Sequence, residues 1–261
     1  MLHKTWIFVI IDGQTERNAK MAKKDFIITI DTETTQDDLV ADFAAVITDK
    51  KGNIFAQCAV LVNGIFTDME NHPLFHIYGD DGDLWSKKAL PKRYDRYNAM
   101  VEGGQRMICS VAAINIWLAK AQAQYTPYLT AYNLSFDLGK CANTGIDLTG
   151  FADRQFCLMN SAKAKWAQSR AYRQFILENH LFKNPTKLGN MSYSTTAETM
   201  ARFILGNPEL EDEPHTALED ILYYELPILN TLLRTTKKKN WLHANAISWQ
   251  QLQVKDFFRV K

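Results

Sequence analysis

The sequence feature that most constrains the fold is the run from Ile27 to Thr35, which reads IITIDTETT. It begins with apolar, β-branched residues, a composition typical of a strand buried on both faces of a sheet. It ends in two acids, Asp31 and Glu33. Side chains two residues apart on a strand share one face, so both carboxylates project together at the carboxyl end of this strand. Because adjacent carboxylates repel each other, this pattern favours a divalent cation between them.

Composition limits the function classes only weakly. The chain has 261 residues, enough for one large domain or two small ones. Its net charge of +1 predicts neither nucleic-acid nor membrane binding, so any contact with nucleic acid has to come from a local patch. The four cysteines lack metal-ligand or redox spacing, which favours a reducing cytosol. Since no apolar run approaches about 18 residues, we expect no membrane segment.

The first half of the chain predicts an antiparallel meander. Two strand-like segments, Val40 to Thr48 and Ile54 to Val62, follow the acidic strand and are joined by a turn with hairpin chemistry. Residues 64–104 lack clear periodicity and are interpreted as an insertion. Residues 1–24 precede the acidic strand and are interpreted as an N-terminal appendage of unknown role.

The second half predicts helices alternating with short strands. Apolar residues at helical spacing predict an amphipathic helix over residues 105–124. Short strands are expected at Tyr128 to Ala131 and at Phe156 to Met159. Asn133 is a candidate N-cap, and a helix beginning there would carry Asp137 in its first turn.

Two capping-box patterns, T-x-x-E, predict further helix starts at Thr195 to Glu198 and at Thr216 to Glu219. The second places His215 in the loop before the helix and Asp220 on its first turns. Pro227 lies inside the apolar pattern of this last helix, so we expect a kink or a break at or just before it.

Four acids and one histidine are therefore candidates for a common site: Asp31, Glu33, Asp137, Asp220 and His215. Oxygen-rich ligand sets suit Mg²⁺ or Mn²⁺. Two such ions about 3.5–4 Å apart stabilise the attacking and leaving oxygens of a displacement at phosphorus. A neutral histidine beside them can remove a proton from water. Each residue taken singly has an ordinary structural explanation, and only their joint occurrence favours the functional interpretation.

Three motifs occur in order over roughly residues 25–235: Asp31-Thr-Glu33-Thr-Thr, Asn133-x-x-Phe-Asp137 and His215-x-Ala217-x-x-Asp220. They resemble the motifs of the DEDDh, or DnaQ-like, 3′–5′ exonucleases, and look most like those of stand-alone phage or bacterial members. The resemblance implies an α/β, ribonuclease-H-like fold with a mixed five-stranded sheet, antiparallel strands 1–3 and then parallel strands, flanked by helices. It also implies an exonuclease domain over residues 25–235 and a C-terminal extension over residues 236–261.

The same resemblance implies roles for the five residues. Asp31 would bridge two Mg²⁺ or Mn²⁺ ions, Glu33 and Asp220 would complete the site of the ion that activates water, Asp137 would serve the second ion, and His215 would be the general base. The implied reaction is hydrolysis from the 3′ end of single-stranded nucleic acid, with DNA slightly favoured over RNA, in the cytoplasm of a bacterial or phage-infected cell.

Substrate contacts are expected at two places. The resemblance implies that Thr32, Thr34, Asn133 and Phe136 cradle the last nucleotide. Separately, a basic and aromatic stretch suits a phosphate backbone and stacked bases, or else is a solvated helix face; its candidate residues are Lys163, Lys165 and Arg170.

Other functions stay open at this point. They are a 3′–5′ exoribonuclease of the same family, a ribonuclease-H-type endonuclease, and a catalytically silent module that binds nucleic acid or protein. The sequence does not decide whether the chain forms a homodimer.

Overall fold

The structure, a computed structural model, describes residues 25–76, 86–183 and 191–254. The expected appendage, residues 1–24, lies outside the described residues. The same holds for residues 77–85 of the expected insertion and for residues 255–261 at the end of the chain.

A mixed five-stranded sheet forms the centre of the protein, as predicted. Its strands are β1 (Phe26–Thr34), β2 (Val40–Asp49), β3 (Ile54–Val62), β4 (Met107–Cys109) and β5 (Tyr128–Thr130). Their order is β4-β3-β2-β1-β5. The first three are antiparallel, whereas β4 and β5 run parallel to β3 and β1 at the two edges. A small antiparallel pair consists of β6 (Phe182–Lys183) and β7 (Ser192–Tyr193).

Helices cover both faces of the sheet. Those described are α1 (Leu90–Glu102), α2 (Val111–Tyr125), α3 (Leu134–Thr144), α4 (Leu158–Ala162), α5 (Arg170–Glu178), α6 (Ala197–Leu205), α7 (Ala217–Asp220), α8 (Leu226–Thr235) and α9 (Lys238–Leu242). A π-helical turn follows α4 at Lys163–Ala167, and another joins α7 to α8 at Ile221–Glu225. Short 3₁₀ turns lie at Lys87–Ala89, Thr149–Phe151 and Trp249–Leu252.

The acidic strand β1 lies between β2 and β5 and is buried on both faces. Ile28 and Ile30 pack with α2 and α3 on one face, and Ile27 packs with α6 and α8 on the other. Since side chains alternate along a strand, Asp31 and Glu33 lie on the same face as Ile27. The strand therefore directs both acids toward the α6–α8 side of the sheet.

Two predicted elements were wrong. Residues 105–124 do not form one helix, because Met107–Cys109 pairs with the end of β3 and the helix begins only at Val111. The Ser110 hydroxyl caps this helix by accepting the N–H of Ala113. The strand expected at Phe156 to Met159 is also absent: the chain makes a single bridge to β5 at Gln155 and then turns into α4.

The predicted insertion and C-terminal extension both contribute to the hydrophobic core. Phe66, Leu74 and Tyr97 pack on the β2–β3 end of the sheet. Trp241 is buried against the aromatic rings of Tyr128 and Phe156. Among residues 25–76, 86–183 and 191–254, no helix has the length and apolar character needed to cross a membrane.

Candidate active site

A cleft of about 280 Å³ opens at the carboxyl end of β1, on the face that carries Ile27. Asp31, Glu33, His215 and Asp220 all line it, as the sequence predicted. The pairing of β1 with β2 shifts register between Glu33 and the following residue. Such irregularities re-aim side chains and are common next to active sites.

Glu33, His215 and Asp220 lie close enough to share one ion. Each offers one ligand atom, and these atoms all lie within 4.8 Å of one another. They come from β1, from the loop before α7 and from the end of α7. Three of the five candidate residues, far apart in the sequence, therefore converge at one point.

Asp31 interacts electrostatically with several of these acids. Burial raises its pKa well above the ordinary value, and repulsion from Glu225, Asp137, Asp220 and Glu33 raises it further. The cleft thus brings together acids whose charged forms repel one another, so that their protonated forms are favoured.

Asp137 lies in the first turn of α3, as predicted, and is buried. Its carboxylate accepts a hydrogen bond from the Thr32 hydroxyl at 2.9 Å. Burial nevertheless raises the pKa of Asp137 to about 7. Asn133 is the N-cap residue of this helix, as predicted, but it has a left-handed backbone with φ of 91° and its side chain makes no capping hydrogen bond.

The loop that carries His215 is held by the helix of the expected insertion. His215 has a left-handed backbone with φ of 53°, a strained conformation for a residue other than glycine. Its carbonyl accepts the Tyr97 hydroxyl at 3.3 Å, and the carbonyl of Pro214 accepts an N–H of Arg96 at 2.8 Å. Helix α1 therefore fixes the position of the predicted general base.

The same helix reaches Glu33. Arg93 donates from Nη2 to Glu33 Oε2 at 3.2 Å and from Nη1 to the carbonyl of Phe75 at 2.9 Å. Burial outweighs this partner and raises the pKa of Glu33 to about 7. The sequence did not reveal Arg93, because residues 64–104 show no periodicity that would place it.

The predicted cap of α7 is replaced by a residue from the sheet. Thr216 precedes the helix, but its hydroxyl makes no capping bond. Asp42 on β2 accepts the N–H of Ala217 at 3.0 Å instead. At α6, Thr196 rather than Thr195 is the N-cap.

A further acid, Glu225, lines the cleft and was missed by the sequence reasoning. It is 3% exposed, and its Oε1 accepts the backbone N–H of Tyr132 at 3.1 Å. Asp220 and Glu225 are five residues apart, so α-helical geometry would not have placed them together. The available signal was Pro227, which marks an irregular turn at this point.

Only part of the expected basic stretch faces the cleft. Lys163 lines it together with Lys183, and burial, followed by repulsion from Lys183, lowers the pKa of Lys163. Lys165 is exposed and donates to the carbonyl of Thr235, and Arg170 is exposed at the start of α5. Of the four expected nucleotide contacts, Thr32 and Thr34 are buried on β1, whereas Asn133 and Phe136 are exposed on α3.

The side chains present fit a hard divalent cation. Asp220 Oδ1 and Glu225 Oε2 are buried oxygens without a hydrogen-bond partner in the part of the chain that the structure describes. Burial, with repulsion from Glu33 first among its neighbours, raises the pKa of Asp220 to about 10. A cation bound between these oxygens would satisfy both and relieve the repulsion.

Comparison with known proteins adds no assignment. No protein-family model matches the chain, and no curated protein matches it.

Proposed function

We propose that this protein is a metal-dependent 3′–5′ exonuclease of ribonuclease-H-like fold that hydrolyses phosphodiester bonds. The observation that carries the proposal is the convergence of Glu33, His215 and Asp220, with ligand atoms within 4.8 Å of one another. Asp31 completes a cleft wall that is rich in carboxylates. Buried carboxylates beside a histidine suit metal-assisted hydrolysis, because both ion ligands and a proton acceptor are present.

The acids would hold two Mg²⁺ or Mn²⁺ ions, with Asp31 shared between them, Glu33 and Asp220 on one and Asp137 on the other. Bound ions lower the pKa of water and stabilise negative charge on phosphoryl oxygens. His215 removes the proton from the attacking water. The left-handed backbone of His215 and the Tyr97 hydroxyl on its carbonyl hold the imidazole at the edge of the cleft.

Two lysines of the cleft supply positive charge for the substrate. Lys163 and Lys183 line the same cavity as the acids, and lysine is a common partner of backbone phosphates. The exposed ring of Phe136 offers a surface for base stacking. At about 280 Å³ the cleft is at the small end of ligand pockets, which suits the terminal residue of a single strand better than a duplex.

The test is a time course on end-labelled single strands of DNA and RNA with one sequence, in Mg²⁺, Mn²⁺ or EDTA. We expect a metal-dependent ladder that shortens from the 3′ end and is absent from a 3′-blocked strand. The ratio of the two rates gives the sugar preference. Internal cuts would instead indicate an endonuclease, and binding without cleavage in any metal would indicate a silent binding module.

Two variants separate a true activity from a contaminant and divide the roles within the site. Asp31→Ala removes the shared ligand and should abolish cleavage. His215→Ala should lower the rate by about 10²–10⁴-fold while Mn²⁺ binding is retained. Equal loss of Mn²⁺ affinity in both variants would contradict this division of roles.

A further inference from the structure

The helix after His215 contains an irregular turn that brings a further acid into the cleft. In a regular α-helix, residues five apart point about 140° away from each other. Asp220 and Glu225 are five apart, yet both line the cleft. Something between them must therefore change the helical period.

That change is the π-helical turn at Ile221–Glu225. The N–H of Leu226 donates to the carbonyl of Ile221, five residues back, instead of to the carbonyl four residues back. A turn closed by this longer bond aligns residues five apart on one side of the helix. Isolated π-turns inside helices are rare and frequently lie at functional sites.

Pro227 accounts for the position of this turn. Proline has no N–H, and inside a regular α-helix its ring clashes with the carbonyl four residues earlier, here that of Tyr223. The widened turn ends just before it, so that Pro227 lies in the first turn of α8, where proline is tolerated. Buried neighbours, Leu226 and Ile228, anchor this segment in the core.

The Glu225 side chain is oriented but not neutralised. Its Oε1 accepts the N–H of Tyr132 at 3.1 Å, which fixes the carboxylate at the floor of the cleft. Its Oε2 is buried and has no partner within the described residues. The other buried carboxylate oxygen without a partner among the described residues is Asp220 Oδ1, before the π-turn in the sequence. Two buried carboxylate oxygens without donors indicate a cation as their common partner.

We propose that Glu225 is a ligand of the divalent ion site through its Oε2, added to the acids found from the sequence. This inference rests on the proposed metal site but not on the nature of the substrate. On this proposal, the π-turn and Pro227 together place the carboxylate five residues after Asp220 on the side of the helix that faces the metal site.

The test compares Mn²⁺ binding to the full chain by titration calorimetry in the wild type and in Glu225→Gln. Glutamine keeps an oxygen for the Tyr132 N–H but loses the charge. We expect Mn²⁺ affinity to fall about 10–100-fold, as for other losses around a metal site. The matched control is Glu198→Gln, which removes a partly buried carboxylate that does not line the cleft and pairs with Arg202. It should change the affinity less than about threefold.

The outcomes are separable. Unchanged Mn²⁺ affinity in Glu225→Gln, with normal binding by the wild type, overturns this inference and leaves the proposed nuclease intact. A wild type that binds Mn²⁺ but degrades no nucleic acid overturns the nuclease alone. A wild type that binds no Mn²⁺ overturns both.

A second measurement distinguishes the loss of a metal ligand from a simple loss of stability in the variant. Thermal unfolding is recorded for the wild type and Glu225→Gln in EDTA and in Mn²⁺. A ligand role predicts that the variant melts at the same or a higher temperature than the wild type in EDTA, because a repelled charge is gone, and that Mn²⁺ stabilises it less. A lower melting temperature in EDTA, with full stabilisation by Mn²⁺, would assign Glu225 a structural role only.

Discussion

Two groups of buried carboxylates meet at α7, and they differ in what neutralises them. The arginine cluster consists of Asp42, Glu219 and Arg106, whose guanidinium is fully buried. The cleft carboxylates include Asp220, which directly follows Glu219 in the sequence. One oxygen of Asp220 is buried and has no partner among the described residues. Two residues adjacent in the sequence, Glu219 and Asp220, thus belong to different sites, one with its own counter-charge and one without.

In the arginine cluster the protein supplies its own counter-charge. Arg106 donates from Nε to Asp42 Oδ1 at 3.2 Å and from Nη1 to Glu219 at 3.3 Å. The other oxygen of Asp42 accepts the N–H of Ala217. Burial raises the pKa of Asp42, but Arg106 and this N–H oppose the rise. Because its donors and acceptors are matched, the cluster holds α7 on the sheet and leaves nothing for a ligand.

In the cleft the counter-charge is incomplete. Glu33 has Arg93, but burial still raises the pKa of Glu33 to about 7. Asp31 and Asp220 are surrounded by further acids. The difference teaches that the fold neutralises buried carboxylates with an internal arginine at one place and leaves them without a matching counter-charge at the other, where we propose an external cation.

The largest effect is expected from Arg106→Met. Removing the arginine leaves the buried Asp42 and the partly exposed Glu219 without a counter-charge, and breaking a buried pair in this way typically costs about 3–5 kcal/mol. We expect a marked drop in the free energy of unfolding, or failure to fold, measured by urea denaturation. Arg202→Met is the control, because Arg202 pairs with Glu198 and Asp212 outside the cluster. Equal loss in both variants would show that the cluster has no special role in stability.

The second effect concerns pH. The pKa values of Glu33 and Asp137 are raised from 4.5 and 3.8 to about 7. At a pH between the ordinary and the raised pKa values, the native state holds more protons than the unfolded state. The stability of the metal-free protein therefore falls as the pH rises from about 4 to about 7. Mn²⁺ should remove most of this fall. Melting temperatures in EDTA and in Mn²⁺ across this range test it, and a melting temperature in EDTA that rises toward pH 7 would contradict the expectation.

The sequence could single out the candidate acids because each of them stands in a recognisable local pattern. A strand ending in D-x-E, an acid one turn into a helix and a histidine just before a helix need only short-range geometry. Strands β1 to β3 followed from the same kind of pattern, whereas the five-stranded mixed sheet was implied by the family resemblance. The helix predicted over residues 105–124 was wrong at its start, because apolar residues in a short run fit an edge strand as well as a helix.

The counter-charges could not be found in this way. Arg93 and Arg106 act across the fold on Glu33 and Asp42, at sequence separations of 60 and 64 residues. No periodicity links such partners. Glu225 was missed for another reason, since its placement depends on a change of helical period that Pro227 signals but does not specify.

A third prediction compares substitutions at two adjacent residues. Glu219→Gln weakens the bond to Arg106 and should lower the melting temperature. Asp220→Asn removes a carboxyl group whose ionised form is disfavoured by burial and by neighbouring acids, and it should raise the melting temperature of the metal-free protein. A change of about 1 kcal/mol corresponds to roughly 2–4 °C for a protein of this size. Scanning calorimetry in EDTA measures both. Shifts of the same sign would remove the distinction between the arginine cluster and the cleft carboxylates.

The smallest effect concerns Lys163 and Lys183, which line the cleft and repel each other, without a carboxylate among their described partners. They are the reverse of the cleft carboxylates, and by the same reasoning their partner should be an external anion. Lys163→Met should weaken binding of single-stranded DNA to the Asp31→Ala background and reduce the slope of log affinity against log salt by about 1. Lys165→Met is the matched control, because its ammonium lies outside the cleft and bonds to Thr235. If both variants change the salt slope equally, the basic stretch acts as a diffuse surface and the cleft lysines have no specific part in holding the strand.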